Sequence, residues 1–408
     1  MQKIQGGVTA AKGFRAAGCA AGIKKNGNDD MAMITSDIPC ETAGTFTTNV
    51  VKAAPVIWDR EIVRSAAKAQ TVVVNSGVAN ACTGEEGMGY CRETAEAAKA
   101  ALGLNSDAVL VASTGVIGQQ IPIDKIRNGI GMLAGSLSDS IEGGMNAARA
   151  IMTTDTVSKE CAYSVTFTDG TEAVLGGCCK GSGMIHPNMC TMLCFLTTDV
   201  NISKEMLQKA LSSVVPDTFN QVSVDGDTST NDTCLILANG LAGNPLIAEE
   251  NEDYFIFRDA LLALCTDLAK KMAKDGEGAT CLIECEIRNA RTKEDAQVLA
   301  RSVISSTLTK AAIAGHDANW GRVLCAMGYS GKEFAPEKVD LFFESAAGSL
   351  QIMENGTGTG YSEEKATEIL SQNEIHIIAD MKEGSAKGTA WGCDLTHEYV
   401  NINADYRS

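Results

Sequence analysis

The stretch 161–200 limits the fold more than any other part of the chain. CAYSVTFTDGTEAVLGGCCKG (161–181) alternates in polarity on either side of Asp169-Gly170. Alternation with a period of two marks strands, and Asp-Gly between two such runs marks a tight hairpin. TMLCFLTTDV (191–200) follows as an apolar run of the kind a buried strand needs. QTVVVN (70–75) and DAVLVAS (107–113) also read as strands, while 88–102, 123–137, 141–152 and 203–215 read as helices. Ser203 is placed to cap the last of these. The strongest amphipathic helix is 253–276, and TCLIECEIRNA, VDLFFESAAGSLQIM and EIHIIADM read as strands around a helix at 293–313. Helices and hairpins mix without a regular βαβ repeat. The expected class is therefore α+β in packed layers, not a doubly wound parallel sheet. A boundary near 280–290 is expected, giving a main α+β domain over 1–285 and a smaller α+β domain over 286–408.

Charge and cysteine use exclude several functions. A net charge of −17 repels phosphate backbones and anionic lipid, so neither nucleic acid nor membrane is an expected partner. Fifteen cysteines with no C-x-x-C pair fit neither a disulfide framework nor a zinc site, and buried thiols in a reducing compartment are the simpler reading. The N-terminus, MQKIQGG, has no apolar core and no run of about eighteen apolar residues follows, so a cytoplasmic protein is expected. GSGMIH and NGTGTG fall short of a dinucleotide fingerprint. DGDTSTND (225–232) lacks the glycine and the final carboxylate of a calcium loop, which leaves a polar turn. His186, His316, His376 and His397 have no metal-ligand spacing, and His376 reads as a packed strand residue.

KGSGMIHPNMCTMLCFLTTDV (180–200) places a hydroxyl, Thr191, behind a pliable Gly- and Pro-containing loop. A Thr in a strand is usually structural, because β-branched residues belong there. A Thr hydroxyl is also a weak nucleophile that needs a base beside it. Cutting the Cys190–Thr191 bond would supply one. The new α-amine would titrate at about 7.7–8.0, on the same residue as the hydroxyl.

The same stretch resembles the self-cleavage site of the bifunctional ornithine acetyltransferase / N-acetylglutamate synthase family of arginine biosynthesis. Further blocks match in order: GGVTAAKGFRAAG (6–18), TFTTNVVKAAPV (45–56), VNSGVANACTG (74–84), STGVIG (113–118), IMTTDT (151–156), SVDGDTSTNDT (223–233), KDGEGAT (274–280), HDANWGR (316–322) and WGCDLTHEYVNINADYRS (391–408). The resemblance implies a layered αββα-type sandwich with a self-cleaved N-terminal Thr nucleophile. An α chain of 1–190 and a β chain from 191 would result, with the extreme C-terminus returning to the active site. It implies acetyl transfer from N-acetylornithine to glutamate through acetyl-Thr191, by ping-pong covalent catalysis. Thr114 and Gly115 would form the oxyanion hole, and Thr153, Lys180, Thr191, Glu277, Asn403 and Ser408 would bind substrate. No metal or prosthetic group is implied. Acetyl-CoA is a possible second donor, and the α and β chains would assemble as an α2β2 heterotetramer.

Five positions depart from the family pattern. Cys190 stands where Ala is usual, His186 where a small or apolar residue is, Ser408 where Thr is, Ala318 where Pro is, and Val78 where Asn is. Two other readings compete. A related self-processing hydrolase would use water as the acceptor. A binding protein would stay intact as one chain of 42.8 kDa.

Overall fold

The computed structural model describes residues 1–104, 108–186 and 192–405. Its strands, in chain order, are β1 (Gln2–Ile4), β2 (Phe14–Cys19), β3 (Met31–Phe46), β4 (Ala69–Val78), β5 (Ala108–Val116), β6 (Lys159–Thr166), β7 (Glu172–Lys180), β8 (Leu193–Thr198), β9 (Val222–Ser223), β10 (Thr233–Ala238), β11 (Leu282–Ala290), β12 (Asp340–Ser345), β13 (Gly348–Glu354), β14 (Thr357–Gly358), β15 (Glu374–Asp380) and β16 (Ala386–Cys393). The helices are α1 (Ala54–Arg64), α2 (Gly84–Leu102), α3 (Ile123–Ser136), α4 (Ile141–Ala150), α5 (Lys204–Val214), α6 (Glu252–Lys274), α7 (Lys293–Ser305), α8 (Thr307–Ala314), α9 (Trp320–Gly328), α10 (Glu363–Leu370) and α11 (His397–Asp405). This is a mixed α+β protein with two sheets.

The first sheet runs β1-β6-β7-β8-β10-β3-β4-β5, with β2 added beside β3. The hairpin expected at Asp169-Gly170 is the antiparallel pair β6–β7, and Gly170 takes the left-handed φ of +86° that the turn needs. Strand β3 serves two neighbourhoods. Met31–Thr35 pairs with β4, while Glu41–Phe46 pairs with β10. Between them Asp37, Ile38 and Pro39 are exposed and the register shifts, since Pro39 has no N–H for the ladder. Folded there, the sheet packs one half on the other. Ile34, Val72, Val74 and Leu110 meet Phe195, Leu235 and Leu237 in one apolar cluster.

The alternate residues of the same strands face outward into helices. Val73, Val109 and Val111 pack with Cys91 and Ala95 of α2 and Ile126 and Ile130 of α3. Cys194, Leu196 and Ile236 pack with Leu207 and Leu211 of α5 and Phe257, Leu261 and Leu264 of α6. Both faces of these strands are buried, which is why they read as unbroken apolar runs. Each fully buried side chain of this kind contributes about 1.5–3 kcal/mol.

The second sheet runs β14-β13-β12-β15-β11-β16-β9. It carries its own core, in which Ile283, Ile287, Leu299, Val303, Phe343 and Ile377 meet. The expected boundary at 285/286 falls inside β11, and β9 joins this sheet from far upstream through Val222 opposite Trp391. The helix expected over 293–313 is two helices. Ser306 leaves the helical region (ψ 111°) and its hydroxyl accepts from the Thr309 amide, capping the second. His376 lies on β15, 3.5 Å from Glu284, half-exposed rather than packed into the core. Of the described cysteines, Cys82 and Cys325 are exposed and the rest are buried thiols. Among the described residues no helix is long and apolar enough to cross a membrane.

Candidate active site

The ends of strands β5 and β7, from different parts of the sheet, meet at a cavity of about 140 Å³. Thr114 and Gly115 are among the last three residues of β5, and Lys180 is the last residue of β7. Gly115 has φ +129°, and a Cβ there would sit 2.2 Å from the Gly77 carbonyl carbon on β4, so no side chain fits. Lys180 is buried, and its Nζ donates to Thr114 Oγ1 at 3.3 Å. Occupying that oxygen as acceptor leaves the Thr114 proton free to point elsewhere. Burial lowers the Lys180 pKa and the Lys159 charge pushes the same way, while Asp155, Asp232 and Glu277 oppose them.

The remaining walls are loops tied by a buried ion network. Lys159, fully buried, donates to Asp155 Oδ1 at 2.6 Å and to Asp275 Oδ2 at 2.5 Å. Asp155 also accepts the amides of Thr153 (3.0 Å) and Gly181 (2.7 Å). Burial works against the charged form, yet Lys159 and Lys180 hold the Asp155 carboxyl down to about 2. The Asp275 carbonyl accepts from Ser182 Oγ (2.7 Å), and the Ser182 carbonyl accepts from the Glu277 amide (3.0 Å). One lysine thus joins the segments that carry Thr153, Lys180 and Glu277. Glu277 is buried, and its Oε2 accepts from Asn403 Nδ2 of α11 at 2.7 Å.

Of the residues expected at a site, Thr114, Gly115, Thr153, Lys180, Glu277 and Asn403 line this one cavity. Cys190, Thr191 and Ser408 lie outside the described residues. Met192, the neighbour of Thr191 in sequence, is on the cavity wall. The polar turn read at 225–232 proves to be part of the site, since Ser229, Thr230, Asn231 and Asp232 line it. Asn231 Nδ2 donates to the carbonyls of Ala79 (2.6 Å) and Ser113 (2.7 Å), fixing the ends of β4 and β5. The sequence offered a signal, a run of eight polar or glycine residues with no helix or hairpin to explain it.

His186 is partly buried. Its Nε2 accepts from Arg301 (2.9 Å) and its Nδ1 lies 3.0 Å from Ser223 Oγ. Burial, with the Arg301 charge, lowers its pKa to about 4. Val78 packs in the apolar cluster under α2, and Ala318 is buried in the core of the second sheet. Among the described residues no group of three or more His, Cys, Asp or Glu side chains is placed to hold a metal.

Hydroxyl and amide donors at a strand end, one buried lysine and two buried carboxyls thus line a single cavity. Comparison with known proteins makes the class particular. The family model described as the ArgJ family matches residues 15–408. The "Arginine biosynthesis bifunctional protein ArgJ" of Thermotoga neapolitana is 50% identical over 97% of this chain and 99% of its own. That of Symbiobacterium thermophilum is 50% identical over 100% of both chains. A solved chain of the Bacillus halodurans protein is 46% identical with a TM-score of 0.50, over 52% of this chain and 98% of its own. The chain belongs to the ArgJ family.

Proposed function

We propose that this cavity carries acetyl from N-acetylornithine to glutamate through Thr191. As a member of the ArgJ family the chain is an acetyltransferase of arginine biosynthesis. In the proposed maturation, Thr191 Oγ attacks the Cys190 carbonyl carbon, the C–N bond breaks, and the nitrogen keeps the electron pair and gains the hydroxyl proton. Water then hydrolyses the ester. Residue 191 is left with a free hydroxyl and a free α-amine, its own base. In turnover that amine takes the hydroxyl proton as Oγ attacks the acetyl carbon, and returns it to the departing ornithine nitrogen. Glutamate reverses the sequence and leaves as N-acetylglutamate.

Thr114 Oγ1–H and the Gly115 amide serve as donors to the tetrahedral oxygen, each worth about 2.7–4 kcal/mol. Lys180 suits the substrate carboxylate and Glu277 a substrate ammonium. The observation that carries this reading is that six of the expected residues, scattered from 114 to 403, line one cavity with Met192 on its wall. A solved family member whose chain is spanned by about half of this one also fits a precursor cut near its middle. By the same mechanism acetyl-CoA would load Thr191 directly, the second activity of a bifunctional enzyme. The layered sandwich, cut after 190, would assemble as α2β2 in the cytoplasm.

Intact mass spectrometry of the wild type and of Thr191→Ala tests the reading. Fragments ending at Cys190 and beginning at Thr191, absent from the variant, are expected. Wild-type enzyme should form N-acetylglutamate from N-acetylornithine only with glutamate present. Release of free acetate unaffected by glutamate would make it a hydrolase instead, and an uncut active wild type would remove the amine from the mechanism.

A further inference from the structure

Asp232 has no role in the reading above, yet it lines the same cavity. It is 1% exposed, and among the described residues its Oδ2 has no hydrogen-bond partner. A buried polar oxygen left unpaired costs about 1–3 kcal/mol, so a protein keeps one where something else will meet it. Its position is fixed on both sides. Asn231, anchored to Ala79 and Ser113, precedes it, and Thr233 begins β10, where it pairs with Leu193 of β8. Asp232 therefore stands beside Met192, whose amide also reaches its carboxyl.

The charges facing it define what it can take. Lys180 is the cation of the cavity wall, and Glu277 is a second carboxylate. A free diamino acid carries one carboxylate and two ammonium groups, the opposite of one lysine and two acids. Glu277 already has a place in that match as the seat of one ammonium, and Asp232 is the acid left over. Burial raises its carboxyl well above the usual range, opposed by the Ser229 hydroxyl, the Lys180 charge, the Thr47 hydroxyl and the Met192 amide. An arriving ammonium would draw it into the charged form.

We propose that Asp232 is a further binding residue of this site and that its unpaired Oδ2 receives a primary ammonium group. Two sources share that chemistry, the α-amine of the bound amino acid and the α-amine freed at residue 191. The inference rests on the proposed function, and the experiment separates the two. The proteins compared are the cut wild-type enzyme and Asp232→Asn, with ornithine binding measured by calorimetry and kcat followed against pH. A tenfold or greater weakening of ornithine, with the kcat profile unmoved, assigns the ligand's amine. Unchanged ornithine affinity, with the acidic limb of kcat moved to lower pH by half a unit or more, assigns the chain's own amine, because a lost carboxylate no longer holds that ammonium.

Unchanged affinity and profile overturn the proposal, as does a folded variant that stays uncut, since neither the bound amino acid nor the freed amine takes part in the cut. If the Asn variant loses its cooperative melting transition, Asp232→Glu, which keeps the charge one methylene displaced, is read by the same two measurements. A wild type that is uncut or makes no N-acetylglutamate would sink the proposed function itself, independently of Asp232.

Discussion

Lys159 is fully buried between Asp155 and Asp275, and the three segments it joins all reach the cavity. Removing one partner of a buried ion pair leaves the other charge stranded, at a cost of about 3–5 kcal/mol. Lys159→Met should lower the unfolding free energy by that amount, read from urea titrations as a lower midpoint at unchanged slope, and an unchanged midpoint would mean that water reaches the network. Asp155 gives the same network a pH signature. Its folded value, about 2, lies below its ordinary 3.8. Its contribution is therefore complete above the unfolded value and lost as pH falls from about 4 through 2. The stability gap between wild type and Asp155→Asn should shrink over that window by roughly 2 kcal/mol. Thr114 belongs to the proposed chemistry instead. Thr114→Ala should lower kcat by about 10²–10³ with the melting temperature held, and a loss confined to KM would take it out of the oxyanion hole. The sequence resemblance reached Thr114, Thr153, Lys180, Glu277 and Asn403, because each sits in a recognisable local block. It took in Asp155 and Asp275 without revealing that Lys159 joins them. Lys159 and Asp275 are 116 positions apart, and neither stands in a pattern that announces a partner.

At the scale of elements, α11 is unusual in burying none of its residues, while its Asn403 reaches the buried Glu277. Such a helix adds little to the core and a polar contact to the cavity. Ending the chain after Leu395 should shift the melting temperature by only a few degrees and raise KM for the amino-acid substrates at least tenfold. A collapse of stability would instead make α11 part of the fold. Among the described residues the segment's other hydrogen bonds outside the helix run from Thr396 Oγ1 to the Gly278 carbonyl and from the Tyr399 hydroxyl to Asp225. Elements differed in how well they could be read. QTVVVN was legible as a strand because Val72 and Val74 face one core and Val73 another, so apolar residues fill every position. The break between α7 and α8 was not, since Ser306 sits inside an apolar periodic run and acts only through the amide it caps. Strand β9 is two residues long and exists only through its pairing with β16, which no local propensity encodes.

Across the whole molecule, the proposed cut falls between strands that are neighbours in one sheet. β7 pairs with β8 antiparallel, and β8 pairs with β10 parallel. Then β10 pairs with β3, which lies far upstream. Two strands from beyond residue 191 are thus held between β7 and β3, both from before it. The apolar cluster that joins Ile34, Val72 and Leu110 to Phe195, Leu235 and Leu237 crosses the same divide. Separating the fragments would strip both edges of β8–β10 and expose that core, which amounts to unfolding. The cut protein should therefore travel in native buffer as a single particle containing both fragments, with a mass of at least 42.8 kDa. It should part into two species only in denaturant, at the concentration where circular dichroism reports loss of the sheet. Sizing chromatography coupled to light scattering follows the mass across a urea series, and circular dichroism of the same samples follows the sheet. Fragments that separate before the sheet is lost would show that the two chains do not share it. Coincident loss would show that a broken backbone leaves the fold whole because the sheet, not the peptide bond, joins its halves.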